Sequence, residues 1–472
     1  MSKTCFFANI RWLASRAYNP DRIRGKRRGS LIGSALLLFS SGIRALDNGV
    51  VFPNPNGSAS TFSTQGTIDT GNEFFQSLGN NDRSCDTCHR PEEGWSITPL
   101  GVEKRFELSA GTDPIFRAND GSNSPNAKLA TLKDRRQAYS LLLGKGVIRI
   151  GLKIPENAEF ELAAVSDPYG NVTVGSTELS LYRRPLPATN LKFISAVMWD
   201  GRETQADKSI RHDLSNQADS ATIGHAQGSP LTAAQRLNIV KFETSLYTAQ
   251  TRDAQAGALA TAKGGPARLS KQKFYPGIND FAGDSKTGAD FDPRVFTLFD
   301  RWNSLMDSAP TDVRAAVARG QKLFNSKPLA ISGVPGINDS PAFGSPEVLV
   351  GTCSTCHNVP NAGSHSVALF LNIGISDETR RTGDLPLYTL HNTSTGEILK
   401  TSDPGRSLIT GLWRDIGKFK VPVLRGLAAR APYFHNGMAK ELGNVLDFYD
   451  SRFHIGLDNR ERMDLILFLR SL

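Results

Sequence analysis

The sequence predicts a mainly α-helical chain of two tandem domains built on one plan, with a small β-containing insertion in the first. Three observations predict it. A Cys-x-x-Cys-His motif occurs twice, as Cys85-Asp86-Thr87-Cys88-His89 and Cys353-Ser354-Thr355-Cys356-His357. Each copy follows a G-x-x-x-F segment expected to be helical, Gly71 to Phe75 and Gly320 to Phe324. Each unit then closes on an amphipathic helix of the same register, Ile239 to Leu246 and Leu465 to Leu472. In the second, the i, i+3, i+4, i+7 spacing puts Leu465, Phe468, Leu469 and Leu472 on one core-facing stripe.

Residues 1–45 hold nine Lys or Arg against the single acid Asp21, so +8 of the net +9 lies there. The basic run Arg24 to Arg28 precedes an apolar run, Leu31 to Phe39, and the small residues Ser40, Ser41, Gly42 and Ala45. That is the pattern of a secretion signal peptide. The apolar run is too short for a stable spanning helix, and an uncleaved anchor is the alternative. The rest of the chain is nearly neutral, which offers no basic face for nucleic acid. It has no later segment apolar enough to span a membrane, so the mature form is expected not to.

Residues 46–250 form the expected first domain. Within it the pattern changes over roughly 104–185 to short alternating runs, Val147 to Ile150, Phe160 to Leu162 and Val172 to Val174, bounded by Gly and Pro. These read as strands. Residues 251–310, rich in Gly, Ala, Lys and Asp, are the expected linker. The second domain is 311–472, its first helix opening after Pro310.

Two thiols spaced C-x-x-C add across the vinyl groups of one haem, and the adjacent histidine ligates its iron. Cys85, Cys88 and His89 are thus expected to hold one covalent haem c, and Cys353, Cys356 and His357 a second. A Cys₄ zinc site is the competing reading of two C-x-x-C pairs. But the pairs lie 268 positions apart, and zinc does not require a histidine after both. The remaining cysteine, Cys5, falls in the leader. Bacterial haem c is attached outside the cytoplasm, which agrees with the leader and points to the periplasm.

The motifs have a family order. The two C-x-x-C-H copies, the turn Trp199-Asp200-Gly201-Arg202 between them, and Phe419-Lys420-Val421-Pro422 leading to Pro432-Tyr433-Phe434-His435-Asn436-Gly437 resemble the bacterial dihaem cytochrome c peroxidase/MauG superfamily. The resemblance covers most of the chain after the leader, apart from the insertion. It implies a peroxide-binding first haem with proximal ligand His89 and an electron-transfer second haem with proximal ligand His357. It makes Trp199 the tryptophan between them. Arg202 and Arg425 are the expected partners of haem propionates.

The resemblance also fixes where this chain departs. The second haem's other ligand lies fourteen positions after His435 in the family, methionine in peroxidases and tyrosine in MauG-like members. Here it is Tyr449, a hard anionic donor that favours oxidised iron, with Met438 as the competing donor. The position of the distal histidine of relatives is Arg105, so the first iron is expected to be open. Gln217 matches the family's distal glutamine. Gln227 falls where relatives carry the distal carboxylate, and an amide cannot exchange a proton near neutral pH. His225, close by, can. Relatives also bind calcium between the domains, which stays open here because Arg430 stands where they have threonine.

The residues and the resemblance leave three functions in play. The first is peroxide reduction, with electrons drawn through Trp199 and the second haem from a small redox protein, a cytochrome c or a cupredoxin. The second is a MauG-like oxidation of a protein or peptide side chain. The third is a non-enzymatic electron carrier with both irons saturated.

Overall fold

The computed structural model describes residues 45–259 and 264–472, which form one unit. The expected leader lies outside the described residues, Ala45 aside. Five helices frame the structure: α1 (Ile210–Gly224), α2 (Ala233–Glu243), α3 (Val313–Ser326), α4 (Leu442–Phe453) and α5 (Asn459–Arg470).

The helical repeat is firmest at the C-terminal end. The stripe of α5 is buried as its spacing requires: Leu465, Phe468 and Leu469 pack with Leu472 against α3. Gly320 of α3 makes that crossing close, because a Cβ there would lie 2.0 Å from the Asp464 carbonyl oxygen. Asp458 and Glu461 start α5 with a capping box, which satisfies its first amides. The same core takes in Val295, Phe296, Phe299 and Trp302. Part of the segment read as a linker is therefore packed interior.

The expectation of a mainly α-helical fold is corrected: the chain is 31% helix and 18% strand. Much of the strand lies outside the insertion. Val51–Asn54, Gly57–Ser63, Leu246–Asp253 and Gly257–Ala258 form a four-stranded sheet in that order. Their small and hydroxyl residues pair across strands, as in the 2.9 Å bond between Thr61 and Thr248, and carry little apolar alternation to announce them. The first closing helix also ends early. α2 stops at Glu243, where Thr244 and Ser245 turn their hydroxyls back onto the Val240 and Phe242 carbonyls, and Leu246 begins a strand. The first G-x-x-x-F segment is likewise a single 3₁₀ turn, Glu73–Phe75, begun by the Asn72 side chain.

The insertion forms strands Ile148–Lys153, Phe160–Ser166 and Glu178–Arg183, whereas 172–174 is loop. The first and third pair with each other. Phe160–Ser166 instead pairs antiparallel with Leu387–Asn392, far along the chain, which also pairs with Ile398–Thr401. The insertion is thus stitched to the C-terminal half by backbone hydrogen bonds.

Candidate functional site

Both C-x-x-C-H motifs are short turns at the wall of a large cavity. In each, the threonine between the cysteines accepts the amide proton of the residue before the motif, Ser84 to Thr87 and Thr352 to Thr355, both at 3.0 Å. This closes the turn and brings both thiols to one side. All four cysteines are free thiols, partly buried. Burial pushes each thiol up, Cys88 to about 11 and Cys353 and Cys356 to about 12. They are therefore neutral near pH 7. The two pairs line different cavities, and among the described residues no three or more His, Cys, Asp or Glu are grouped to hold a metal ion. The Cys₄ zinc reading therefore has no cage.

The first cavity has about 1480 Å³ of empty volume, mouth included, and its lining includes Cys85, Cys88, His89, Trp199, Arg202, Gln217 and His225. His89 Nδ1 lies 3.1 Å from the Trp95 carbonyl oxygen, and burial holds its pKa down to about 4. A neutral ring that gives Nδ1–H to a carbonyl keeps the Nε2 lone pair for a metal. Helix α1, capped by Ser209, turns one face to the cavity: Leu214, Gln217, Ala218, Ala221 and Thr222, with His225 as its C-cap. His225 Nδ1 is 2.5 Å from Asp120 Oδ2. Glu243, at the end of α2, also lines the cavity; its Oε1 is buried without a hydrogen-bond partner among the described residues, and burial raises its pKa to about 8.

The second cavity, about 1720 Å³, is lined by Cys353, Cys356, His357, His435 and Tyr449 among others. His357 repeats the device of His89, with Nδ1 2.5 Å from the Gly363 carbonyl oxygen and a pKa held down to about 4 by burial. Phe324 of α3 stands 6.1 Å from its ring; beside His89 the same place is filled by Phe74, at 6.2 Å. Tyr449, on α4, stacks on Phe453 at 5.9 Å, and among the described residues nothing hydrogen-bonds its hydroxyl. Burial pushes that phenol up, so a phenolate there needs a cation beside it. Buried phenols usually find a partner. Met438 does not line this cavity.

Trp199 lines both cavities. Its Nε1 donates to the Arg184 carbonyl oxygen at 2.8 Å, and its ring meets His435 edge-on at 6.3 Å. The turn that holds it is fixed from below by Asp200, fully buried, which pairs with Arg183 and lies 3.3 Å from Arg202. Burial pushes the Asp200 carboxyl up, but the two guanidinium groups outweigh it and hold the pKa at about 2. Arg183 is also bidentate to Asp403, at 2.7 and 2.8 Å. Gly201 has φ +72°, the left-handed region where a side chain costs energy.

The residues present fit a haem in each cavity. Each has two free thiols and a neutral histidine at its wall. Lys420 lines both cavities and is buried, yet its ammonium pairs with no carboxylate among the described residues. Burial, with Arg430 nearby, lowers its pKa to about 8. Arg184 also lines both and, among the described residues, gives its protons only to carbonyls. Buried cations without anions are costly, and the carboxylates of a bound haem would complete them.

The site residues read from the sequence divide cleanly. Cys85, Cys88, His89, Trp199, Arg202, Gln217 and His225 meet at the first cavity, and Cys353, Cys356, His357 and Tyr449 at the second. Gln227 is exposed, past the end of α1 and outside the lining. Arg425 is buried but lines neither cavity; its guanidinium binds the carbonyls of Leu472, Asn361 and Gly264. Arg105 pairs with Asp113 and donates to the Thr87 carbonyl at 2.6 Å, so it braces the motif from outside the cavity. Sequence reasoning passed over Asp120, Glu243, His435, Arg184 and Lys420 as site residues. Only Lys420 and His435 sat inside motifs that could have drawn attention to them.

No family profile matches the chain. It is 28% identical over 193 residues to the cytochrome-c peroxidase IdrP1 of Denitromonas iodatirespirans, a stretch that is 37% of this chain and 44% of that one. It is 31% identical over 140 residues to IdrP1 of Pseudomonas sp. (strain SCT), 25% of this chain and 36% of the relative. The match thus spans less than half the length of these curated relatives. Among solved structures, a MauG-like protein associated with microbial copper homeostasis aligns over 85% of both chains at 15% identity and a TM-score of 0.37. Kuenenia stuttgartiensis hydrazine synthase aligns over 80% of this chain and 93% of its own at 13% identity and a TM-score of 0.32. Over these stretches the chain is similar to bacterial cytochrome-c peroxidases.

Proposed function

We propose that the chain is an exported, periplasmic haem peroxidase that reduces hydrogen peroxide at the first cavity, with electrons relayed from the second through Trp199. The observation that carries this reading is one indole ring lining both cavities. A haem c in each would supply iron that binds peroxide in the first and exchanges electrons in the second. The chain's own residues do the rest. His89 and His357 present neutral rings; Lys420 and Arg184 face both cavities with positive charge; the Arg184 carbonyl and the Asp200 turn hold the Trp199 ring in place. Gln217 orients peroxide by hydrogen bonds, and His225 moves protons. Tyr449 would be the second protein residue to hold a haem in the second cavity, where an anionic oxygen favours oxidised iron, and Met438, outside the lining, would have no role there.

A MauG-like oxidation of a protein side chain is the second reading, favoured by Tyr449 at the second cavity. Adding peroxide to the purified holoprotein, with and without a reduced small redox protein, tests both. Steady peroxide consumption that depends on the donor supports the peroxidase. Stoichiometric oxidation without turnover of the donor supports the MauG-like reading. No spectral response to peroxide or cyanide leaves only an electron carrier.

A further inference from the structure

The hydrogen bonds of His225 lead out of the cavity and into the 104–185 insertion. Asp120 lies there, 5% exposed, with Oδ2 2.5 Å from His225 Nδ1 and Oδ1 paired with the Arg83 guanidinium. Arg83 is 2% exposed and pinned by the carbonyls of Pro114 at 2.8 Å and Ile115 at 2.7 Å. The Asp120 backbone is held as well, since its carbonyl accepts from Arg149 N at the start of strand Ile148–Lys153. Three polar groups in series thus fix one imidazole. Burial by itself would push the Asp120 carboxyl up; the bonds and charges of His225 and Arg83 hold it below the usual carboxylate range.

We propose that Asp120 is a positioning residue that makes His225 the proton carrier of the first cavity, so that the insertion completes the peroxide site. This rests on the peroxidase reading. An Nδ1–H given to a carboxylate selects the tautomer whose lone pair is on Nε2. The proton path then balances. Nε2 takes a proton from one oxygen of hydrogen peroxide and returns it to the other, which departs as water when the O–O bond breaks. The two electrons come from the reduced redox protein, two further protons come from solvent, and the second oxygen also ends as water. His225 gains and loses no electron. Gln227, at the family's carboxylate position but exposed, is not needed for any of these steps.

Cyanide binding to the holoprotein tests this without turnover, because HCN must lose a proton to bind as the anion. The charged and titratable neighbours of His225 are Asp120, Arg83 and His89. His225→Gln should slow cyanide association at pH 7 by about a hundredfold, the lower end of general-base effects, and remove the base step from the pH profile. Asp120→Asn should slow it about tenfold, and Asp120→Glu, which keeps the carboxylate, should restore much of the rate. These variants should keep wild-type haem content. The His225 ring is one-third exposed, so its replacement spares the core even where Asp120→Asn disturbs Arg83. A wild-type rate and profile in His225→Gln would overturn the proposal. So would an unchanged rate in Asp120→Asn, or equal slowing in Asp120→Asn and Asp120→Glu, beside a slowed His225→Gln, which would leave Asp120 with only a structural part. If the wild-type protein bound neither cyanide nor peroxide, the peroxidase reading itself would fall.

Discussion

In the first cavity His89 leans on the carbonyl of Trp95, six residues on; in the second His357 leans on that of Gly363, again six residues on. Each motif turn is closed by the same threonine bond, and each histidine has a phenylalanine about 6 Å away. Beyond these devices and the shared partition of Arg184, Trp199 and Lys420, the two walls differ. The first offers the Gln217 amide and an imidazole bound to a carboxylate. The second offers a phenol with no hydrogen-bond partner among the described residues and a ring of aromatics around it, Phe434, Phe448 and Phe453. One repeated motif therefore stands in two different walls, and the difference is made by residues outside the repeat.

That comparison can be broken most severely at the attachment device. Replacing Cys85 and Cys88 by alanine should remove one haem by mass spectrometry of the secreted protein, and replacing Cys353 and Cys356 the other. Equal loss of both from either pair would mean that the cavities do not load independently. Next in size is the second wall. Tyr449→Phe should convert one haem to a high-spin or water-ligated spectrum and raise its potential, because a neutral site stabilises ferric iron less. Met438→Leu should change neither. The reverse pattern would assign the ligand to the thioether despite its place outside the cavity.

The two C-x-x-C-H turns were the legible part, because each short motif brings its two thiols and its histidine to one cavity wall by itself. The C-terminal helix was legible for a similar reason: Leu465, Phe468, Leu469 and Leu472 obey a period that packing enforces. The sheet was not. Gly57 to Ser63 is glycine, serine, alanine and threonine with one aromatic, and its order comes from partners nearly two hundred residues away. Leu246 and Tyr247 looked like the tail of a helix because nothing local marks where Thr244 ends it. The first cavity's wall was half legible. Gln217 and His225 stood out by position, but Asp120 could be found only once the fold brought the insertion beside α1. Arg425 misled for the opposite reason: a cation in the right motif, spent on backbone carbonyls.

A milder test addresses the ring the two cavities share. Trp199→Phe keeps an aromatic body but removes the Nε1–H that holds Arg184's carbonyl and the readily oxidised indole. Both haems should remain bound, while electron exchange between them slows by roughly tenfold or more, each tenfold corresponding to about 1.4 kcal/mol of barrier. Stopped-flow reduction of the two haems checks this. Unchanged exchange would reduce Trp199 to a packing residue between two independent sites.

The smallest effect is expected at Glu243, which makes the first cavity's wall differ from the second in its response to pH. Its carboxyl is buried, lacks a partner at Oε1 among the described residues and has a pKa raised by burial from an ordinary 4.5 to about 8. Between those two values the folded chain holds a proton that the unfolded chain has released. The slope of unfolding free energy with pH follows the protons bound unfolded minus those bound folded, so here it is negative. Stability is lost as pH rises from about 4.5 and levels off above about 8, where both states are ionised. Glu243→Gln keeps the shape, cannot ionise and removes this dependence. Thermal or denaturant unfolding of the holoprotein should show the variant gaining on the wild type through that window, by on the order of 1–3 kcal/mol at pH 8. Parallel pH curves for the two proteins would show that Glu243 finds an anion-tolerant partner once the cavity is filled.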